Sequence, residues 1–297
     1  MEGSLKECRC CPRNCGADRE IGRGVCKSGS EIRIARAALH FWEEPPISGE
    51  KGSGTVFFTG CPLGCIYCQN REISQSSLPP GKTVSPEELN GLFFDLIELG
   101  AHNINLVTPT HFMPLIREAL LIRKLPVPVV YNTSGYETVE ALRSLEGLVD
   151  IYLPDFKYAD SALAKAFSHA PDYPEICIAA IEEMVRQAGA PVYGEDGMMK
   201  RGVLIRHLIL PGHTANSLAV LEEIARRFPG IPVSLMAQYT PPEEFPEMEQ
   251  YPELLRSITK REQQKVEDKL FALGLDGFVQ SRSAKGEQYL PDFHQFG

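Results

Sequence analysis

Three cysteines fall close together in the loop Thr59-Gly-Cys-Pro-Leu-Gly-Cys-Ile-Tyr-Cys. Cys61, Cys65 and Cys68 have the spacing C-x3-C-x2-C. Thiolates are the usual ligands of iron–sulfur clusters, and three of them can hold three irons of a [4Fe–4S] cubane while the fourth iron stays open to a substrate. A zinc loop is the alternative, but zinc normally takes four nitrogen or sulfur ligands, and no fourth cysteine or histidine follows at the usual finger spacing. The spacing therefore favours a catalytic cluster.

A second group of cysteines lies within the first 26 residues of the chain. Cys8, Cys11, Cys15 and Cys26 could form a closed four-thiolate site for zinc or for a fully ligated iron–sulfur cluster, and Cys10 is left over. A short segment with so few apolar residues needs a staple to be ordered, which favours a structural metal. An electron-relay cluster and unmetallated thiols stay open as alternatives.

The elements that must position these cysteines follow an α/β pattern. Short apolar runs predict strands at 55–59, 103–107, 127–131, 149–153, 203–210 and 232–236. Between and after them, helices are predicted from Ser85, a capping residue followed by proline and two acids, and at 112–123, 137–144, 173–189, 215–227 and 260–273. Such alternation predicts a parallel sheet, although periodicity alone does not distinguish a barrel from an open sheet. Asp196-Gly197 predicts a hairpin turn. The loop that carries Cys61 directly follows the first of these strands, at the end where barrel enzymes place their active sites.

Composition limits the classes of function. The chain has 297 residues, of which 43% are hydrophobic and 23% are charged, as in globular proteins. Its net charge of −9, without a basic block, argues against nucleic acid as a partner. The sequence shows no signal peptide and no membrane-spanning apolar run, so we expect a cytoplasmic protein without a membrane partner. We predict three parts: a cysteine-rich module at 1–50, an α/β core at 51–240 and an extension at 241–297.

The loop motif C-x3-C-x-aromatic-C, with Tyr67 before its last cysteine, resembles the signature of the radical S-adenosylmethionine (SAM) superfamily. This resemblance implies a partial (βα)6 barrel. It also implies that SAM binds the open iron of the cluster and is cleaved by one electron, giving a 5′-deoxyadenosyl radical that abstracts hydrogen.

Three further segments, Asn132-Thr-Ser-Gly-Tyr, Asp155-Phe-Lys and Ile205-Arg-His-Leu-Ile-Leu-Pro-Gly, lie at the ends of predicted strands. With them the chain is similar to the pyruvate formate-lyase activating enzyme-like branch, in particular to its uncharacterised paralogues with an N-terminal cysteine motif. The resemblance covers roughly residues 6–276 and implies four cosubstrate-binding residues, with no residue assigned as a catalytic acid, base or nucleophile. Those four residues are Asn132, Asp155, Lys157 and Arg206. The plainer alternatives are a turn shaped by Asn132 and surface ion pairs for the other three.

The chain departs from the superfamily in one place. Residues 105–111 stand where the superfamily has a Gly-Gly-Glu segment that contacts the methionyl amino group. Thr108, Thr110 and backbone carbonyls are the candidates to replace those contacts. His111 and His207 are expected to be structural, and Cys177 is expected to lie in the core.

The resemblance suggests that the radical activates a glycyl-radical protein such as pyruvate formate-lyase, with reduced flavodoxin or ferredoxin as electron donor. A barrel of six strands is incompletely closed, and its lateral opening would admit an extended peptide. The N-terminal cysteine module and the Pro-rich segment 240–246 are expected to flank that opening. Radical chemistry on a small molecule or on another peptide is the rival within the same class. A non-catalytic iron–sulfur electron carrier and a zinc-dependent interaction module are the rivals from other classes.

Overall fold

The computed structural model describes residues 6–241, 246–280 and 293. Within these residues strands and helices alternate from β1 onward. The strands are β1 (Ile32–His40), β2 (Ser53–Phe58), β3 (Lys82–Val84), β4 (Ile104–Val107), β5 (Val129–Thr133), β6 (Ile151–Pro154), β7 (Val192–Tyr193), β8 (Met199–Val203), β9 (Ile205–Leu208), β10 (Val233–Met236) and β11 (Gly277–Gln280). The α-helices are α1 (Pro45–Ser48), α2 (Arg71–Ser74), α3 (Pro86–Glu98), α4 (Met113–Ile122), α5 (Val139–Arg143), α6 (Ser161–Ser168), α7 (Tyr173–Ala188), α8 (Thr214–Arg227) and α9 (Lys260–Ala272).

Parallel strands form the centre of the molecule. One sheet has the order β3-β1-β2-β4-β5-β6-β8-β7, and a second has the order β11-β10-β9. Pairing is parallel from β2 through β4 and β5 to β6, and again from β9 through β10 to β11. A parallel bridge between Asp155 and Arg206 joins the two runs after β6. The predicted α/β fold with a partial parallel barrel is thus confirmed.

Burial explains why these segments become strands. All six residues of β2 and all four of β6 and β10 are buried, as expected for parallel strands covered on both faces. Helix α3 begins where the sequence signal lies: Ser85 accepts a hydrogen bond from the Glu88 N–H, and the Glu88 carboxylate accepts one from the Ser85 N–H. Burial and local capping signals thus account for these elements.

The predicted strand at 203–210 is divided in the structure. Its first part continues β8, which pairs with β6 and forms an antiparallel hairpin with β7. Its second part is β9, which pairs with β10 in the other sheet. The change of partner occurs at Leu204, whose N–H donates to the Tyr152 carbonyl. Asp196-Gly197 forms the predicted turn of the β7–β8 hairpin.

A short helix closes one end of the strand layer. Helix α1 lies between β1 and β2, and its Ile47 side chain is fully buried. Ile47 belongs to a small apolar cluster of residues that lie on, or directly beside, neighbouring strands: Val130, Ile151, Leu153, Met199 and Leu204. This cluster anchors the chain segment just before α1 inside the molecule.

No helix among the described residues is both long and apolar enough to span a membrane. The Pro-rich segment proposed as a rim of the site lies partly at 242–245, outside the described residues.

Candidate active site

The cysteine loop lies at the carboxyl end of β2 and opens onto a large cavity. Cys61, Cys65 and Cys68 all line this cavity, which has a volume of about 920 Å³. Cys65 is buried, and Cys61 and Cys68 are half-buried. The Ser168 hydroxyl donates to the Cys65 Sγ at 3.0 Å, and the Ser74 hydroxyl donates to the Cys68 Sγ at 3.4 Å. The loop therefore presents three supported sulfur atoms to one space.

Gly60 lets the loop pass close to the N-terminal segment. Its φ is +82°, and a Cβ at this position would lie 2.2 Å from the Ser28 Oγ and 2.5 Å from the Cys26 carbonyl oxygen. Only glycine takes such a conformation at such a distance without strain. The Cys61 N–H then donates to the Cys26 carbonyl at 3.1 Å, which ties the two cysteine groups together through the backbone.

The four polar residues predicted to bind a cosubstrate line the same cavity. Asn132 lies in β5, Asp155 and Lys157 follow β6, and Arg206 lies in β9. The Lys157 ammonium forms an ion pair with the Asp155 carboxylate, and the Arg206 Nε lies 3.7 Å from the other oxygen of Asp155. The strand ends thus gather an amide, a carboxylate and two cations opposite the cysteines.

A sequence model of the Radical SAM superfamily matches residues 55–225, more than half of the chain. The chain belongs to the radical SAM superfamily. The superfamily implies a [4Fe–4S] cluster and SAM.

Known proteins similar to this chain include an uncharacterized protein of Methanocaldococcus jannaschii. It is 29% identical over 269 residues, which are 88% of this chain and 73% of that protein. A solved structure of a spore photoproduct lyase variant is 12% identical, covers 75% of this chain and 74% of its own, and has a TM-score of 0.50. A domain of the pyruvate-formate lyase-activating enzyme from Bacteroides vulgatus is 17% identical, covers 66% of this chain and 91% of its own, and has a TM-score of 0.37.

The thiol groups of this radical SAM chain suit the positively charged core of an iron–sulfur cluster. Burial, together with the neighbouring Cys65, raises the pKa of Cys61 to about 12. Burial also raises the pKa of Cys68, whereas the positive charge of Lys157 lowers it. Three thiolates so close together repel one another, so they ionise together only when a cation compensates their charge. Three cysteines on one loop beside a cavity are a donor set that fits an iron–sulfur cluster.

The two cations opposite the loop, Lys157 and Arg206, are held in their ionised forms. Burial opposes the charge of Lys157, but Asp155 and Cys65 outweigh it and raise the pKa of Lys157. Burial likewise opposes the charge of Arg206, and Glu44, Glu43 and Asp155 raise its pKa. The cavity wall therefore carries two cations at neutral pH.

Glu43 is a site residue that sequence reasoning missed. It lies in the segment between β1 and α1, lines the cavity, and is nearly buried. Its Oε1 accepts hydrogen bonds from the Asn105 amide at 3.1 Å and the Asn132 amide at 3.3 Å, and its Oε2 accepts one from Arg206 at 3.1 Å. The only local signal was a pair of acids between an aromatic pair and two prolines, which is also typical of an exposed turn.

Residues 105–111, which stand in place of the superfamily's Gly-Gly-Glu segment, place their two threonines in different surroundings. Thr108, with a φ of +58°, lines the cavity, and its N–H donates to the Asn132 carbonyl at 2.9 Å. Thr110 is fully buried elsewhere and donates to the Glu137 carboxylate. Thr108 is thus the threonine in position to contact a cosubstrate.

The histidines of this region are structural, as expected. His111 is buried and its Nε2 bonds to the Thr59 carbonyl, and His207 is buried between the Phe156 carbonyl and the Ser217 hydroxyl. Cys177 is also fully buried in the core.

The N-terminal cysteines lie beside the cluster loop, which is the cysteine loop at residues 59–68. Cys8, Cys11 and Cys26 are buried, and Cys15 is half-buried. A Cβ on Gly24 would lie 3.3 Å from the Cys26 Sγ and 3.5 Å from the Cys15 Sγ, so these two sulfurs are neighbours. The structure therefore brings the predicted ligands into one module.

Cys10, to which the sequence assigns no role, is hydrogen-bonded to Cys8, and both cysteines are free thiols. The hydrogen bond from the Cys10 thiol lowers the pKa of Cys8 to about 5, and burial opposes that effect. The Arg19 guanidinium lies 3.8 Å from the Cys8 Sγ and adds to the lowering. Burial raises the pKa of Cys11 to about 12 and also raises the pKa of Cys26.

Across residues 6–241 and 246–280, no three cysteine, histidine, aspartate or glutamate side chains are arranged to hold one metal ion. In a cubane each thiolate binds a different iron, so the cluster loop does not need to converge on one point. A single-ion site would need the N-terminal sulfurs to converge, and a second metal there stays a prediction.

Arginine side chains fasten this module to the core. Arg13 donates to the carbonyls of Pro62 and Leu63 in the cluster loop and to those of Ser168 and His169 at the end of α6. The module is therefore part of the wall behind the cluster loop.

Proposed function

We propose that this radical SAM enzyme cleaves SAM reductively and uses the resulting radical to activate a protein, such as the glycyl-radical enzyme pyruvate formate-lyase. The observation that carries the proposal is the meeting of cysteines and polar residues from separate strands in one cavity. The proposed cluster ligands are Cys61, Cys65 and Cys68, and the proposed SAM-binding residues are Asn132, Asp155, Lys157 and Arg206.

Each group in the cavity has a task that its chemistry suits. A bound cluster supplies the single electron that divides SAM into methionine and a 5′-deoxyadenosyl radical. Lys157 lies close enough to Cys65 and Cys68 to stabilise negative charge on the cluster side. The Asp155 carboxylate accepts hydrogen bonds from ammonium or hydroxyl groups of the cosubstrate. The task of these contacts is to orient SAM, since radical transfer requires the reacting atoms to be almost in contact.

The shape of the cavity supports a polypeptide substrate. Beyond its polar wall the cavity extends between the end of β1, with Phe41 and Trp42, and the whole of β11. These two strands flank the ends of the parallel strand order, where a partial barrel is open at the side. A side opening with the apolar residues Phe41, Trp42 and Phe278 at its rim suits an extended peptide better than a sealed metabolite pocket would.

Two further parts of the proposal concern electrons and the N-terminal module. Reduced flavodoxin or ferredoxin is the proposed electron donor. The proposed second metal is zinc or an iron–sulfur cluster, held by Cys8, Cys11, Cys15 and Cys26 in a mainly structural role. Iron, sulfide and zinc contents of the anaerobically purified chain and of its Cys11→Ala variant test the second metal.

The central test is anaerobic reconstitution followed by reduction with SAM. We expect 5′-deoxyadenosine from the wild-type chain and none from Cys65→Ala, whose iron content should fall. A Cys177→Ala variant is the control for iron content, because this buried cysteine is absent from the lining of the cavity and its Sγ contacts the Asp155 backbone carbonyl, at 3.5 Å, from behind the wall. Full activity of Cys65→Ala would refute the ligand assignment, and a reducible cluster without SAM cleavage would favour an electron carrier.

The substrate is tested by incubating the reduced enzyme and SAM with glycyl-radical proteins from the same cell. A stable glycine-centred signal in electron paramagnetic resonance is the expected result. Cleavage that is equal with every protein, together with turnover of a small molecule, would contradict a protein substrate.

A further inference from the structure

Glu43 reaches the cavity from outside the superfamily match. That match begins at residue 55, whereas Glu43 precedes helix α1 in the segment that crosses from β1 to β2. Ile47 of this helix is fully buried in the apolar cluster on β5 and β6, so the segment is anchored on both sides of the acid. The carboxyl group inside the strand layer thus comes from a segment that the superfamily model does not match.

The carboxylate of Glu43 connects three strands. It accepts from Asn105 on β4, from Asn132 on β5 and from Arg206 on β9, and both of its oxygen atoms are used. All three partners are donors, so the arrangement fits the ionised carboxylate. Two of these partners line the cavity, which makes their positions depend on Glu43.

Three carboxyl groups lie around Arg206. The guanidinium lies 3.1 Å from Glu43, 3.5 Å from Glu44 and 3.7 Å from Asp155. Lys157 is a second cation at this wall, so three carboxyl groups face two cations among the groups named here. Burial raises the pKa of Glu43, and the Arg206 guanidinium opposes that effect. Two polar atoms nearby, the Glu44 Oε2 and the Asn105 Oδ1, are buried and have no hydrogen-bond partner among the described residues. A buried excess of negative charge is costly unless a cationic ligand compensates it.

We propose that Glu43 is a positioning residue of the SAM pocket: it fixes Asn132 and Arg206 across the strands and supplies the charge that favours the sulfonium of SAM over an uncharged thioether. This inference rests on the proposed function. It assigns to a segment outside the superfamily match a role in selecting the cosubstrate.

The test compares binding of SAM with binding of S-adenosylhomocysteine, which lacks the methyl group and the sulfonium charge. Dissociation constants are measured by calorimetry on the full-length, anaerobically reconstituted chain. We expect Glu43→Gln to weaken SAM binding by about tenfold or more while S-adenosylhomocysteine binding changes far less, because removing a buried charge costs a cation more than a neutral group. Glu43→Asp keeps the charge and should recover much of the preference for SAM.

Glu183→Gln is the matched control. Glu183 is also a buried carboxylate with arginine and amide partners, but it lies on α7 and is absent from the lining of the cavity. The preference of the Glu183→Gln variant for SAM over S-adenosylhomocysteine should equal that of the wild-type chain. Iron content and the melting temperature of the metal-free chain show whether each variant folds.

Equal weakening of both ligands by Glu43→Gln, or an unchanged preference, would overturn the inference while leaving the proposed function intact. If Glu43→Gln does not fold, Glu43→Asp decides the question, since loss of its preference for SAM would also contradict the role of charge. A wild-type chain that binds iron but not SAM would overturn both proposals, and that result requires no variant.

Discussion

Tyr173 supports the segment that carries Asp155 and Lys157, and its hydroxyl offers a quantitative test. This hydroxyl is fully buried and accepts a hydrogen bond from the Lys157 N–H at 2.9 Å. It lies 2.8 Å from the Ser134 carbonyl and 2.7 Å from the Asp155 carbonyl, and donates its single proton to this pair. One side chain thus joins the ends of β5 and β6.

Replacing Tyr173 by Phe keeps the ring and removes these bonds. The Lys157 N–H and at least one carbonyl are left buried without a partner, and each such group costs about 1–3 kcal/mol. We therefore expect the free energy of unfolding to fall by about 2–4 kcal/mol, a large part of the total of about 5–15 kcal/mol for a domain. SAM affinity should fall as well, because Asp155 and Lys157 lose their support, whereas iron content should stay unchanged.

The assay is urea unfolding of the metal-free chain, followed by circular dichroism. Tyr152→Phe is the matched control: within the part of the chain that the structure describes, its hydroxyl donates only to the Gln187 side chain, at 2.6 Å. Because Gln187 is half-buried and water can replace the lost partner, this variant should lose only about 0.5–1.5 kcal/mol. An equal loss in the two variants, or a loss below about 1 kcal/mol in Tyr173→Phe, would refute the reasoning.

Three further predictions concern the loop, the module and pH. Gly60→Ala should lower the iron content and destabilise the chain by at least about 1 kcal/mol, since its Cβ would meet the Ser28 Oγ at 2.2 Å; iron analysis and unfolding measure this. Arg13→Ala should release the N-terminal module, seen as faster limited proteolysis near the N-terminus at unchanged core stability. Burial lowers the pKa of His207 from 6.5 to about 4 in the folded chain, so the unfolded chain binds more protons between these values. Stability should therefore be full above pH 6.5 and fall towards pH 4, and His207→Gln should flatten that fall.

Strands and helix starts were predictable where the signals are local. Buried apolar runs identified the central strands, and the capping motif at Ser85 identified the start of α3. Helix α6 was missed, although its N-cap Asp160 accepts from the N–H groups of Ala162 and Leu163. The division at Leu204 could not be predicted, because it depends on which distant strand each half pairs with.

The candidate site was predictable only in the part that motifs describe. The cysteine loop and the four polar residues stand at strand ends, so the topology brings them together. Glu43 was not predictable, because its burial depends on Arg206, which is 163 residues away in the chain. A sequence pattern shows which residues share a strand, but it does not show which loop enters the space between strands.

The Arg13 contacts have a consequence for biosynthesis. Arg13 bonds to carbonyls of Ser168 and His169, which are separated from it by 155 and 156 positions in the chain. On the ribosome the N-terminal module emerges long before these partners exist, so it cannot dock while the first strands are being made. The cluster loop, which shares the Arg13 side chain and the Cys26 carbonyl with this module, reaches the arrangement described here only after translation has passed His169.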